Sequence, residues 1–193
     1  MSSDFSAMSW LHEPPHSEMR DGTLTLRTAL HTDFWQNTYY GFEHDNGHFL
    51  HETRRGDFMM EVRFSGQYEA LYDQAGLMIR ADARHWMKCG IELTDDHQHV
   101  SVVVTNRHSD WSAIRLPTPP QAMRLRVTRM FDALFIQYRG DDADNWTMAR
   151  LAYFPPEFET LQAGIMACSP QREGFEARFS EFSIGEPKSR DIH

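Results

Sequence analysis

Cysteine, clustered basic residues, long apolar runs and helical periodicity are all scarce in this sequence. Only Cys89 and Cys168 stand among 193 residues. Each sits inside an apolar run and neither belongs to a CxxC pair. That removes the spacing signals of zinc and dithiol chemistry. It reads as two buried free thiols in a reducing compartment, hence a cytoplasmic protein. The formal net charge is −9, whereas a phosphate backbone is bound by a clustered basic surface, so no nucleic-acid partner is expected. The nearest approach to a basic patch, Arg124, Arg126 and Arg129, alternates with Leu125 and Val127 and reads as a solvated strand face. No apolar run approaches the roughly 20 residues that span a bilayer. The opening MSSDFSAMSWLHEPP lacks the basic start and apolar stretch of a signal peptide, and no membrane partner is expected. G-x-S-x-G, Walker and dinucleotide motifs are absent, and no cofactor is implied. His97 and His99 share a strand face without an evident third ligand. His44 and His48 are four apart, a spacing that aligns ligands only on a helix, so no metal site is expected.

What the sequence does have is alternation. Apolar residues make up 40% and aromatics 12%, a globular composition. The length suits one domain over 1–193, with a core from about 10 to 184 and a frayed tail, GEPKSRDIH, at 185–193. Period-two patterning predicts strands near 23–28, 34–42, 47–53, 57–64, 74–81, 86–93 and 99–105. More are predicted near 111–116, 122–130, 133–139, 146–152, 161–168 and 175–184. About a dozen short strands joined by turns indicate an all-β sandwich or barrel. Asp45-Asn46-Gly47 carries a hairpin-turn signal, and Phe131-Asp132-Ala133 closes another. HEPPHSEMRDG and RLPTPPQAM read as proline-bearing connections.

The most informative unit is DQAGLMIRADARHWMKCGIEL at 73–93. One face carries Ala75, Leu77, Ile79, Cys89, Ile91 and Leu93, which is ordinary core. The other carries Gln74, Gly76, Met78, Arg80, Trp86, Lys88, Gly90 and Glu92. With the turn centred on Ala83, simple antiparallel pairing sets Arg80 opposite Trp86, Met78 opposite Lys88, Gly76 opposite Gly90 and Gln74 opposite Glu92. Arg80 and Trp86 are then placed for a cation–π contact. Glycine inside a strand marks close approach by a ligand or by other backbone. Three readings stay open. The face is a polyol-binding trough floored by the glycines, a solvated sheet with a Lys88–Glu92 salt bridge, or a surface with other backbone packed on the glycines.

The strings YDQAGLMIRAD and WMKCGIEL, then VSVVVTNRHSDWS, resemble the DUF1349 family, also called regulation of enolase protein-like. TDFWQNTYYGFEHDNGHFL, GDFMMEVRFSGQY and MACSPQREGFEARFSEF extend the likeness from about Trp10 to Ile184. The resemblance implies a concanavalin A-like jelly-roll sandwich of two curved antiparallel sheets, whose concave face binds saccharide in lectin and glucanase relatives. It adds weight to the polar and aromatic groups of 34–48, of which Trp35, Tyr39, Asp45 and His48 are outer candidates. It also adds weight to Trp111, placed to close the trough.

Retaining glucanases of this fold carry an E-x-D-x-x-E motif that sets two carboxylates about 5–5.5 Å apart. No such motif occurs here. Glu92 is the one acid on the polar face of the hairpin, and a partner such as Asp73 or Asp110 has to come from elsewhere. Beside Gln74 and Lys88, Glu92 is expected to stay ionised and to act as a hydrogen-bond acceptor. The leading expectation is a lectin-like, non-catalytic protein of carbohydrate metabolism. It binds a small sugar through Gln74, Gly76, Arg80, Trp86, Lys88, Gly90, Glu92 and Trp111. One alternative is a glycoside hydrolase or related sugar-active enzyme using Glu92. The other is a protein-interaction module regulating a metabolic enzyme. Sandwich edges also allow a homodimer.

Overall fold

A computed structural model of the chain describes residues 5–189. The predicted tail therefore falls partly outside it, at 190–193. Inside it, Lys188 is tied down by Glu61 at 3.0 Å. After a single 3-10 turn at Phe5–Ala7, the strands in chain order are β1 (Ser9–Leu11), β2 (His16–Arg20), β3 (Thr23–Arg27), β4 (Phe34–Gln36), β5 (Glu43–Asp45), β6 (His48–Arg55), β7 (Phe58–Gly66), β8 (Gln74–Asp82), β9 (His85–Thr94), β10 (His97–Asn106), β11 (His108–Arg115), β12 (Met123–Met130), β13 (Ala133–Gly140), β14 (Thr147–Tyr153), β15 (Thr160–Cys168) and β16 (Glu176–Gly185). No described helix is long and apolar enough to cross a membrane.

The expected sandwich is present. One seven-stranded antiparallel sheet runs β1-β6-β15-β8-β9-β10-β11, the other β14-β13-β12-β7-β16-β3-β2. Between them lies the main core, in which Leu77, Ile79, Cys89 and Ile91 of the first sheet meet Met60, Phe64, Val127 and Phe179 of the second. Sixteen strands replace the expected dozen because β1, β2 and β5 are short. β2 lies within the stretch read as a proline-bearing connection, and it is an edge strand exposed along its whole length.

The register of the 73–93 hairpin is as alternation predicts: Gln74↔Glu92, Gly76↔Gly90, Met78↔Lys88 and Arg80↔Trp86. A bulge falls after Arg80 and leaves these pairs intact. What alternation does not reveal is a cover. The central strands of the first sheet are buried on both faces. Against their outer face lies a second apolar cluster, in which Phe49, Met78, Trp86, Val103, Met166 and Cys168 of the sheet meet Phe34 and Trp35. Strands covered on both sides lose the hydrophobic-in, polar-out contrast.

The cover is the segment 28–48, and here the expected strand 34–42 is corrected. Only Phe34–Gln36 is extended; it pairs with Glu43–Asp45 in a small hairpin of its own. Asn37, Tyr39 and Gly41 all have positive φ, which breaks the alternation. Asp45-Asn46-Gly47 is likewise not the turn of a hairpin between sheet neighbours. It is a corner from β5 into β6, stitched by Asn46, whose side chain accepts from the Asp33 amide at 3.0 Å and donates to the His31 carbonyl at 2.9 Å.

Candidate functional site

The facing glycines are not a ligand floor. A Cβ on Gly90 would lie 2.0 Å from the Ala75 carbonyl oxygen, and one on Gly76 would lie 2.0 Å from that of Cys89. Backbone packs against them, the third of the three readings. Gly90 does border a crevice shared with Gln74, Glu92 and Ser101, but the crevice has no room for a water molecule.

Other expected site residues are drawn into structural roles. Trp86 is fully buried in the second cluster. Arg80 turns away from it to pair with Asp45 at 3.0 Å, and the cation over the Trp86 ring is Lys88, 5.8 Å from the centroid. Burial raises the Asp45 carboxyl pKa, against the pull of Arg80. Tyr39 is 94% exposed and packs edge-on against Tyr40, away from the cavity described below. His48 is buried: its Nε2 accepts from the Ala29 amide at 3.0 Å and its Nδ1 faces the His12 carbonyl at 2.8 Å. These partners require a neutral ring with the proton on Nδ1. Burial lowers its pKa, with the His12 carbonyl opposing. A histidine depressed on folding contributes stability above its ordinary value near 6.5 and loses it as pH falls through the folded value. Long-range 1H–15N NMR at pH 7 is expected to give the neutral Nδ1–H tautomer. A ring charged at that pH contradicts this account.

The remaining candidates converge. Between the cover and the outer face of the first sheet lies a cavity of about 320 Å³, lined by Asp33, Lys88 and Glu92 below and by Trp35, Tyr40, Phe42, Tyr72 and Trp111 around them. Lys88, one of two lysines in the chain, is 3% exposed and Glu92 6%. The Lys88 ammonium donates to Asp33 Oδ1 at 2.9 Å. Burial disfavours that charge. Asp33, then Cys168 and Glu92, outweigh burial and raise the lysine pKa. Glu92 Oε2 accepts from the Ser101 hydroxyl at 2.6 Å, and Ser101 accepts from the Trp111 indole N–H at 2.9 Å. The Gln74 amide nitrogen lies 3.4 Å from Asp33 Oδ1 and 3.5 Å from Glu92 Oε1, so one amide faces both carboxylates. Burial pushes the Glu92 carboxyl above its usual range, against the pull of Lys88 and the Ser101 hydrogen bond. That desolvation opposes the ionisation expected for Glu92.

The walls form a ladder. Trp35 meets Tyr40 edge-on at 5.6 Å, Tyr40 stacks on Phe42 at 5.2 Å, and Phe42 tilts over His44 at 4.6 Å. Across the cavity, Tyr72 is edge-on to Trp111 at 6.4 Å. The Tyr40 and Tyr72 hydroxyls meet at 3.1 Å. The carboxylate that shares the cavity with Glu92 is Asp33, and neither residue expected. Asp73 is buried beneath Ser169 and Arg172, and Asp110 pairs with Arg150 on the exposed edge strand. Asp33, Tyr40, Phe42, Tyr72 and Ser101 are the residues that sequence reasoning missed. The available signal was Lys88 itself, one of two lysines in the chain, set between Met87 and Cys89 in a strand where only Glu92 shares its face as a charged residue. Among the described residues, no group of three or more His, Cys, Asp or Glu is arranged to hold a metal ion.

The family described as protein of unknown function (DUF1349) matches residues 10–187. Regulation of enolase protein 1 of Saccharomyces cerevisiae is 42% identical over 190 residues, 98% of this chain and 95% of that protein. A crystal structure of a functionally unknown protein from Saccharomyces cerevisiae has a TM-score of 0.92 at 42% identity, covering 97% of this chain and all of that one. Xylan β-1,4-xylosidase from Bacillus halodurans C-125 has a TM-score of 0.71 at 15% identity, covering 95% of this chain and 38% of the enzyme. That last likeness is one of fold. On a match across nearly its whole length, carried on a sandwich of two antiparallel sheets, the chain belongs to the DUF1349 family.

Proposed function

We propose that the cavity is the binding site of a lectin-like protein for a small saccharide. The observation that carries this reading is the unfilled hydrogen-bonding capacity at the cavity floor. Lys88 has three ammonium protons and one acceptor among the described residues, Asp33 Oδ1. Asp33 Oδ2 has no partner there, and Glu92 Oε1 has only the 3.5 Å contact from Gln74. Donors and acceptors set side by side suit hydroxyl groups, each of which both donates and accepts. Trp111, 36% exposed, and the Trp35–Tyr40–Phe42 ladder offer flat apolar faces to a sugar ring. The volume is at the small end of the range for small-molecule sites, about 300–1,000 Å³, which suits one or two rings. The yeast relative's name, regulation of enolase, supports carbohydrate metabolism as context.

Calorimetric titration with a panel of mono- and disaccharides tests this. At least one is expected to bind. Trp111→Ala is expected to weaken it at least tenfold, about 1.4 kcal/mol, with little change in melting temperature because the ring is partly exposed. Silence across the panel at about 10 mM, where even affinities near −3 kcal/mol register, overturns the reading.

A further inference from the structure

We propose that the cavity interconverts the anomers of a reducing monosaccharide, with Glu92 giving a proton to the ring oxygen and Asp33 Oδ2 taking one from the anomeric hydroxyl. The proposal rests on the saccharide-binding reading and adds chemistry to it.

The geometry points to ring opening because the two carboxylates share a neighbour. Gln74 Nε2 lies within 3.5 Å of an oxygen of each, so they reach the cavity from one floor. Displacement at an anomeric carbon needs groups that attack and protonate from opposite sides of the sugar. Ring opening asks for something else. The ring oxygen and the anomeric hydroxyl are bonded to the same carbon, so donor and acceptor must arrive as neighbours. The roles follow from the surroundings. Asp33 is paired with the Lys88 ammonium through Oδ1, which leaves Oδ2 to meet the anomeric hydroxyl. Glu92 is enclosed and meets Lys88 without a hydrogen bond, an environment that favours holding a proton; the direction of its pKa agrees.

The step balances without a co-reactant. The anomeric O–H proton passes to Asp33 as the C1=O bond forms. The bond from C1 to the ring oxygen breaks, and that oxygen takes the proton of Glu92. Rotation about C1–C2 presents the other carbonyl face, and closure reverses both transfers. Nothing is oxidised or reduced.

Exchange NMR between the α and β anomeric signals of D-glucose, D-galactose and D-xylose tests this, alongside calorimetric binding of the same sugars. For a sugar that binds, the full chain is expected to accelerate exchange. Glu92→Gln is expected to lower the acceleration, read at saturating sugar so that any loss of affinity is separated from it, about 100-fold or more, the usual weight of a positioned acid or base. Asp33→Asn is expected to do the same where it folds; the isosteric Glu92→Gln carries the test where it does not. The titratable groups facing Glu92 are Asp33, Lys88 and Tyr72, with His31 and His44 on the cavity wall. Acceleration is expected to fall as pH rises through the Glu92 pKa, and that limb must vanish in Glu92→Gln while any histidine limb stays. Binding without acceleration overturns the proposal and leaves the saccharide reading standing. Undiminished exchange in Glu92→Gln overturns it too. Absence of binding by all three sugars, and by the wider panel, removes both.

Discussion

Gly90→Ala is expected to destabilise the protein by about 3–4 kcal/mol, the upper part of the range for overpacking. For a chain of this size that is roughly a 10 °C fall in melting temperature. The new methyl would meet the Ala75 carbonyl oxygen at 2.0 Å and the Gly76 Cα at 3.0 Å. Both belong to backbone, and neither can rotate away as a flexible side chain would. β8 and β9 sit in the middle of the first sheet with neighbours on both sides, so parting them strains β15 and β10 as well. Gly76→Ala makes the reciprocal clash with the Cys89 carbonyl, and the double variant is expected to cost less than the sum because one parting of the strands relieves both. Gly185→Ala is the control. Nothing lies within 4 Å of its Cβ position, and it should change stability by less than about 0.5 kcal/mol. A thermal or urea melt of Gly90→Ala that matches this control would show that the strands have room.

The same pair of glycines separates what was legible from what was not. Alternation fixes partners, because slipping by one residue would turn Leu77 and Ile91 out of the core; the hairpin register follows. Alternation is silent about what lies on the far face. Gln74, Arg80, Lys88 and Glu92 look alike under solvent and under a cover, and only the tertiary course of 28–48 decides. That course was misread because FWQNTYYGF is rich in aromatic and β-prone residues. The chain leaves the extended region at Asn37 and Tyr39, and a tyrosine with positive φ has no signature in composition. Asp33 was out of reach for a related reason. It is 55 residues from Lys88 in sequence, and its place beside the ammonium depends on the Asn46 corner and on Thr32, whose amide donates to the Ser169 carbonyl at 3.2 Å. Trp111, expected to close the trough, does line the cavity, from the middle of the edge strand β11.

Lys88→Met is expected to be the most costly substitution at the cavity, about 3–5 kcal/mol at pH 7, the range for removing one partner of a buried ion pair. Methionine keeps the volume, so the loss reports charge. Without the ammonium, Asp33 loses its 2.9 Å partner and Glu92 loses the attraction that opposes its desolvation. The pH dependence gives the account its sign. The lysine pKa is raised on folding, so its contribution is fully present below the unfolded value near 10.5 and lost only as pH climbs through the folded one. At pH 7 it acts at full strength. Glu92 is also raised, but as an acid. Its ionisation costs stability once pH exceeds the unfolded value of 4.5, and the cost grows until the folded pKa is passed. In Lys88→Met the Glu92 carboxyl loses the attraction that opposes its desolvation and moves further up, so the variant's deficit relative to the parent chain should shrink as pH falls from 7 toward the unfolded value of 4.5 and Glu92 takes up a proton. Adding Asp33→Asn removes one stranded charge and should recover a large part of the deficit at pH 7. Urea unfolding of the parent, single and double variants across that pH interval checks each step. A deficit that is flat with pH, or unmoved by Asp33→Asn, would mean that methionine fails there through shape. The Asp33–Lys88–Glu92 cluster would then not be the charged floor on which both the binding and the proton-transfer readings depend.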